Sequence, residues 1–179
     1  MRKEYYGKLV RDEIPRIIRA KGETPVSRVI SRDGFKIELQ KKIAEEAFEV
    51  LAGDGRDEIL SELADVREVL LAILIANNLN TLDFDKMCKR RRRLIYGDGP
   101  QSESKDELFS FLLSVTKEFE KVVADDVLLE RLIELKLICD DILKVSEFTD
   151  EDLERVRKKK MRERGGFSNK VFLVYVKTH

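Results

Sequence analysis

Apolar residues recur along most of this chain at every third or fourth position, which is the period of an amphipathic helix. Two long helices are predicted, one from Phe35 to Ala52 and one from Asp57, the expected N-cap, to about Ala76, with Gly53-Asp54-Gly55 between them. A third, basic helix is predicted from Asp83 to Tyr96, before the breaker Gly97-Asp98-Gly99-Pro100. The pattern therefore predicts a helical chain interrupted by short turns that contain glycine.

The same order of elements returns after the breaker. Long helices are predicted from Lys105 to Val123 and from Val127 to Val145. Thr149 then caps a second basic helix, which runs to Arg164 and ends at Gly165-Gly166. This second set is either a degenerate duplication of the first or an ordinary likeness between helical hairpins, and the sequence leaves both interpretations open.

Two short segments rich in β-branched residues predict strands, Pro25 to Ser31 and Asn169 to Lys177, which are expected to pair near Val29. A short helix is predicted from Asp12 or the next residue to Ala20, with a proline in its first turn. The predicted fold class is all-α: a helical bundle with a short two-stranded β element.

The composition removes several classes of function. The chain has 179 residues, equal numbers of basic and acidic side chains and a single histidine, His179. That inventory excludes a Ser-His-Asp or Cys-His catalytic set, and the zero net charge gives no general attraction to nucleic acid or membranes. Cys88 and Cys139 lack the spacing of a zinc site or a disulfide framework. Met1 to Lys8 lacks the apolar core of a signal peptide, and Val69 to Ala76 is too short to span a bilayer, so a cytoplasmic protein is expected.

Four carboxylates lie on or beside the apolar faces of the two long helices: Glu46, Glu49, Glu62 and Asp65. At about 100° per residue, Glu46 falls inside the stripe that contains Ile43 and Val50. Glu62 projects between Val69 and Ile73 on the second helix. An acidic side chain that was merely solvated would lie opposite the stripe, as Glu68 is expected to do.

Ionised carboxylates removed from water cost several kcal/mol or more unless a cation compensates them. Converging carboxylates also repel one another. A hard divalent cation removes both problems, because Mg²⁺ and Mn²⁺ prefer oxygen ligands. The pattern therefore predicts a Mg²⁺ site formed by the four carboxylates, in which Mn²⁺ can substitute.

Four motifs resemble those of a known superfamily. Lys42-Ile-Ala-Glu-Glu-Ala-Phe-Glu49 and Glu62-Leu-Ala-Asp65 resemble the magnesium motif of the all-α nucleotide pyrophosphohydrolases, which include MazG, dimeric dUTPases and phosphoribosyl-ATP pyrophosphohydrolase. Lys8-Leu-Val-Arg-Asp-Glu-Ile-Pro15 and Glu163-Arg-Gly-Gly-Phe167 resemble its phosphoribosyl-ATP pyrophosphohydrolase-like branch. The chain departs from that branch between about Arg90 and Glu147, where it carries extra helices.

The resemblance implies Mg²⁺-dependent cleavage of a nucleoside triphosphate between its α and β phosphates, and the removal of non-canonical nucleotides is one role it suggests. It implies that Glu45 orients or deprotonates the attacking water, although a solvated glutamate paired with Lys41 or Lys42 is an equal alternative. The substrate-binding residues it implies are Lys8, Arg11, Asp12, Lys42, Lys160 and Arg164. The alternative for these is ordinary surface charge at helix ends.

The resemblance also implies the organisation of one domain over residues 1–179. A catalytic hairpin would cover about 35–80, an inserted helical unit about 101–147, and the basic helix with the C-terminal strand about 150–177. The inserted unit would replace a dimer partner, so both a pseudo-dimeric monomer and a homodimer are expected. Phe35, Phe48 and Phe167 are candidates to contact a base, with core packing the simpler explanation for Phe48.

Three alternative functions stay open. Phosphoribosyl-ATP is a possible substrate within the same superfamily. A nucleotide- or nucleic-acid-binding regulator with a non-catalytic metal site would use the run Arg90 to Arg93 as its contact surface, although nucleic acid is not the expected partner. A helical scaffold without a ligand is the third alternative.

Overall fold

The computed structural model of the chain describes residues 2–96, 104–119 and 125–178. Within these ranges it contains seven helices and a three-stranded sheet, so the predicted all-α bundle with a short β element is confirmed. The elements are β1 Arg2–Leu9, α1 Ile14–Ala20, β2 Thr24–Val29, α2 Arg32–Ala52, α3 Arg56–Ala76, α4 Thr81–Tyr96, α5 Lys105–Phe119, α6 Asp125–Val145, α7 Asp150–Arg164 and β3 Val171–Thr178.

The two long helices begin where local capping groups allow. The Ser31 hydroxyl accepts a hydrogen bond from the Gly34 backbone N–H at 3.1 Å, so α2 begins earlier than the predicted Phe35. Gly55 occupies the N-cap of α3. The predicted cap Asp57 is wrong, because that residue lies in the first turn, where its charge favours the helix dipole.

The predicted start of α7 is confirmed in detail. Thr149 and Asp152 form a capping box, in which each side chain accepts a hydrogen bond from the other residue's backbone N–H. The predicted proline in the first turn of α1 is also confirmed, at Pro15. The breaker at 97–100 and the predicted helix end at 120–123 lie outside the described residues.

The sheet has three antiparallel strands in the order β1-β3-β2, where the sequence predicted two. The predicted pairing near Val29 is confirmed, since Val29 lies opposite Val171. Strand β1 was missed because it carries few aliphatic residues and three charges before its first tyrosine. Charged residues are typical of edge strands, which they protect from pairing with other chains.

The hairpin of α2 and α3 forms the centre of the bundle. α5 packs on α2, α6 packs on α3, α4 and α5, and α7 packs on α3. The predicted apolar faces of α2 and α3 are buried, whereas Phe48 is 42% exposed and does not belong to the core. The packing of α5 and α6 on the hairpin agrees with a role as an internal partner, which stays a prediction, as does the duplication.

Among the described helices, none combines the length and the apolar character that crossing a membrane requires.

Candidate metal centre and adjoining cavity

Three of the four predicted ligands meet between α2 and α3. Glu46, Glu49 and Glu62 each place a carboxylate oxygen so that these three atoms lie within 4.8 Å of one another. Glu46 is buried, Glu62 is half-buried and Glu49 is exposed to solvent. The residues Glu46 and Glu49 share a helix face because they are three positions apart. This group of carboxylates, here called the acidic triad, can hold a hard cation.

The acidic triad is electrostatically crowded. Burial raises the pKa of Glu46 to about 7, and the charges of Asp65 and Glu49 add to this rise, against the opposing effect of Lys42. Partial burial and the Glu62 carboxylate raise the pKa of Glu49. Protons therefore compete with a metal ion for these oxygens, and a bound cation would displace them. The donor set fits a divalent ion such as Mg²⁺.

Asp65, the fourth predicted ligand, has cationic partners instead. Its carboxylate is buried and accepts hydrogen bonds from the Arg11 guanidinium and, at 2.6 Å, from the Lys160 ammonium. The Lys160 ammonium also donates to the Ser61 carbonyl at 2.7 Å. Asp65 thus compensates two buried cations beside the acidic triad, and its role as a metal ligand stays a prediction.

The predicted water-orienting residue, Glu45, lies between two lysines. Lys8 donates to its carboxylate at 2.6 Å, and Lys42 lies 3.1 Å from its other oxygen. Burial acts to raise the pKa of Glu45, but these two lysines outweigh it and lower that pKa. Lys42 also lies 2.6 Å from Glu46. Glu45 therefore holds two cations at the edge of the acidic triad, and its part in catalysis stays a prediction.

The motif Lys8 to Pro15 and the motif Glu163 to Phe167 are joined by direct hydrogen bonds. The Asp12 backbone N–H donates to the Gly166 carbonyl at 2.8 Å, and the Asp12 carboxylate accepts from the backbone N–H groups of Ser168 and Asn169. Gly165 has φ of +78°, and a Cβ added there would lie 3.0 Å from the Asp12 Cβ. Asp12 therefore joins the two segments through hydrogen bonds, and this structural role explains its position without a contact to substrate.

This junction brings arginines from both segments to Asp65. Arg11 donates to the Gly165 carbonyl at 3.2 Å as well as to Asp65, and its guanidinium lies over the buried Phe167 ring. Arg164 lies 4.0 Å from Asp65 and its side chain is 47% exposed. The structure thus brings together the predicted cations that the sequence places far apart.

A cavity of about 330 Å³ adjoins these groups, between α2, the end of β1, α1 and β3. Most of the predicted site residues line it: Lys8, Arg11, Lys42, Glu45, Glu46, Glu49, Asp65 and Arg164. Sequence reasoning missed its remaining walls, which include Tyr6, Ile14 and Ile18. The four-residue spacing of the two isoleucines was the available signal, because it gives α1 an apolar face.

Two expectations about charged residues are corrected. Glu68, expected to face solvent, is buried and accepts a hydrogen bond from Arg157 of α7. The reason is that α7 packs on that side of α3. Within the basic run of α4, Arg92 donates to Asp141 at 2.7 Å and to the Leu137 carbonyl at 3.2 Å. That arginine joins α4 to α6 and is not available as an open contact surface.

Comparisons with known proteins give two partial relatives. A stretch of 52 residues is 50% identical to an uncharacterised protein of Mycolicibacterium smegmatis and covers 29% of this chain and 53% of that protein. A stretch of 91 residues is 33% identical to the histidine biosynthesis bifunctional protein HisIE of Pyrococcus furiosus and covers 49% of this chain and 44% of that protein. The chain thus spans about half the length of the curated relatives it matches.

No protein-family model matches the chain, and no solved structure matches it.

Proposed function

We propose that this protein is a Mg²⁺-dependent nucleotide pyrophosphohydrolase, which cleaves a nucleoside triphosphate between the α and β phosphates. The observation that carries the proposal is the acidic triad, two of whose members line a cavity together with lysine and arginine side chains. The resemblance of the motifs to the all-α nucleotide pyrophosphohydrolases and the partial likeness to HisIE support the same reading.

The residues of the cavity suit a triphosphate chain. Lys8, Lys42, Arg11 and Arg164 line the cavity, and cationic donors form the strongest hydrogen bonds to phosphate oxygens. A divalent ion held by the acidic triad would offset phosphate charge and make water more acidic. Arg164, the most exposed of these cations, is free to turn toward a bound phosphate.

Glu45 acts in this proposal mainly as a positioning residue. Its contacts hold Lys8 and Lys42 at the mouth of the acidic triad. Because its pKa is lowered, it remains ionised near neutral pH and is a weaker base than an unperturbed glutamate. Glu46 has a pKa raised to about 7, and it would hold a divalent ion in its ionised form.

Incubation with a panel of nucleoside triphosphates and Mg²⁺ tests the proposal, with pyrophosphate and orthophosphate measured separately. We expect pyrophosphate and a nucleoside monophosphate as the products. Glu49→Gln should lower turnover by roughly 100-fold or more, because a ligand loss exceeds the 10–100-fold effect of outer-shell changes. Glu38→Gln is the control. Glu38 lies on the same helix, pairs with Lys41 and belongs neither to the acidic triad nor to the cavity lining, so this variant should retain activity. Orthophosphate as the first product, or normal turnover by Glu49→Gln, would refute the assignment.

Phosphoribosyl-ATP is the second candidate substrate. The likeness to a histidine biosynthesis protein favours it. Including phosphoribosyl-ATP in the same panel decides between the two, since the preferred substrate shows the higher kcat/KM.

A further inference from the structure

One wall of the cavity is formed by side chains that cannot bind phosphate. It is formed by aliphatic side chains from the end of β1, from α1 and from β3: Val10, Ile14, Ile18, Leu173 and Val176. These residues also form the small apolar cluster beneath the sheet. None of them can donate or accept a side-chain hydrogen bond, so the wall suits an apolar surface rather than a charged one.

The size of the cavity limits what can lie against this wall. At about 330 Å³ it is at the lower end of the 300–1,000 Å³ range of small-molecule sites. Glu46 and Glu49 of the acidic triad line the same cavity as Lys8, Lys42 and Arg164. A ligand whose phosphates lie beside these residues would continue along the aliphatic wall. A single nucleotide has this arrangement of a charged and a flat, weakly polar part.

Tyr6 stands at the same cavity and gives the wall an aromatic member. It is 41% exposed and lines the cavity, near Glu23. Its neighbour Tyr5 does not line the cavity, is 71% exposed and packs on the Tyr175 ring with centroids 5.4 Å apart. The pairing register of β1 with β3 is interrupted between Tyr5 and Lys8, and Tyr6 lines the cavity whereas Tyr5 does not. The two tyrosines therefore form a matched pair for comparison.

We infer that the aliphatic wall and Tyr6 bind the nucleoside part of the substrate by its faces, without reading the edge of the base. The polar side chains on this side, Lys21 and Glu23, belong to the turn after α1, where hydrogen bonds compete with water and discriminate weakly. The site therefore accepts several bases but separates a nucleotide from a bare polyphosphate. This inference rests on the proposed function for the position of the phosphates.

Equilibrium binding tests the inference independently of turnover. The ligands are nucleoside triphosphate analogues with a methylene between the α and β phosphorus atoms, and inorganic tripolyphosphate, each with Mg²⁺ and measured by titration calorimetry. We expect Tyr6→Ala to lower the affinity for the analogue about tenfold, a typical loss for one base–aromatic stack. The same change should alter the affinity for tripolyphosphate by less than twofold. Tyr5→Ala should change neither ligand. Purine and pyrimidine analogues should bind the unaltered protein within about tenfold of each other.

Other outcomes overturn the inference. These are equal weakening of both ligands by Tyr6→Ala, no effect of that change, no binding of the analogue, or a preference among bases of more than about 100-fold. Ile18→Ala, which shortens one side chain of the aliphatic wall, must weaken the analogue and leave tripolyphosphate unchanged, as Tyr6→Ala does. If the analogues bind as expected while cleavable nucleotides yield no pyrophosphate, the nucleoside site stands and the proposed hydrolysis is refuted.

Discussion

Asp65→Asn is expected to destabilise the protein strongly. The Asp65 carboxylate has a side-chain exposure of only 8%, and the side chains of its partners Arg11 and Lys160 are 7% and 9% exposed. The substitution removes the carboxylate charge that pairs with the buried Arg11 guanidinium, and it leaves Lys160 with the more distant Glu62 carboxylate, 3.8 Å away. Breaking a buried ion pair by removing one partner costs about 3–5 kcal/mol, a large part of the roughly 5–15 kcal/mol of a typical domain.

The assay is urea and thermal unfolding in the presence of a metal chelator, so that loss of a bound metal ion does not contribute to the measured change in stability. For a chain of this size, a loss of about 3–5 kcal/mol corresponds to a fall in Tm of roughly 6–20 °C. Glu49→Gln is the matched control, because it removes the same charge from an exposed carboxylate of the acidic triad. It should not lower the unfolding free energy, because partial burial and the Glu62 carboxylate disfavour the charge of Glu49 and raise its pKa.

A role for Asp65 as a member of the crowded carboxylate site predicts the opposite effect of Asp65→Asn on stability. If Asp65 mainly repelled the carboxylates of the acidic triad, its neutralisation would relieve repulsion and stabilise the metal-free protein. An Asp65→Asn variant as stable as the unaltered chain, or more stable, would therefore refute the role of Asp65 as the counter-charge of Arg11 and Lys160.

Further expectations concern pH and backbone strain. The folded-state pKa of Glu46 is raised from 4.5 to about 7, so the folded protein binds more protons than the unfolded chain between these two pH values. The metal-free protein should therefore lose up to about 3 kcal/mol of stability as the pH rises through this interval. Glu46→Gln should remove this slope in urea unfolding between pH 5 and 8. Mg²⁺ affinity, measured by calorimetry, should increase over the same interval as Glu46 loses its proton. Gly165→Ala should cost about 1–3 kcal/mol because of its positive φ and the nearby Asp12, whereas Gly55→Ala, with open space around it, should cost less in the same unfolding assay.

Local pattern was sufficient for most of the helices and for part of the site. The apolar period located α2 and α3, and the position of Glu46 within that period predicted its burial. The pairing of β2 with β3 followed from two β-branched segments. These features depend on neighbours in sequence, which a periodicity describes directly.

Contacts between distant segments could not be read in that way. The cations that surround Asp65 come from before α1 and from α7, so its helix position alone could not show these ion pairs. Its role as a metal ligand stays a prediction. Glu68 likewise lies opposite the stripe of α3, but α7 covers it. The aliphatic wall of the cavity arises only when α1 packs against β3. In each case the deciding partner is a different element of the fold.

The most direct test of the central claim is a titration with Mn²⁺ followed by electron paramagnetic resonance, which reports the concentration of free ion. We expect saturable binding to the unaltered protein, competition by Mg²⁺, and loss of that binding in Glu62→Gln but not in Glu38→Gln. Identical titrations of the unaltered protein and Glu62→Gln would contradict the claim that these carboxylates hold a divalent ion.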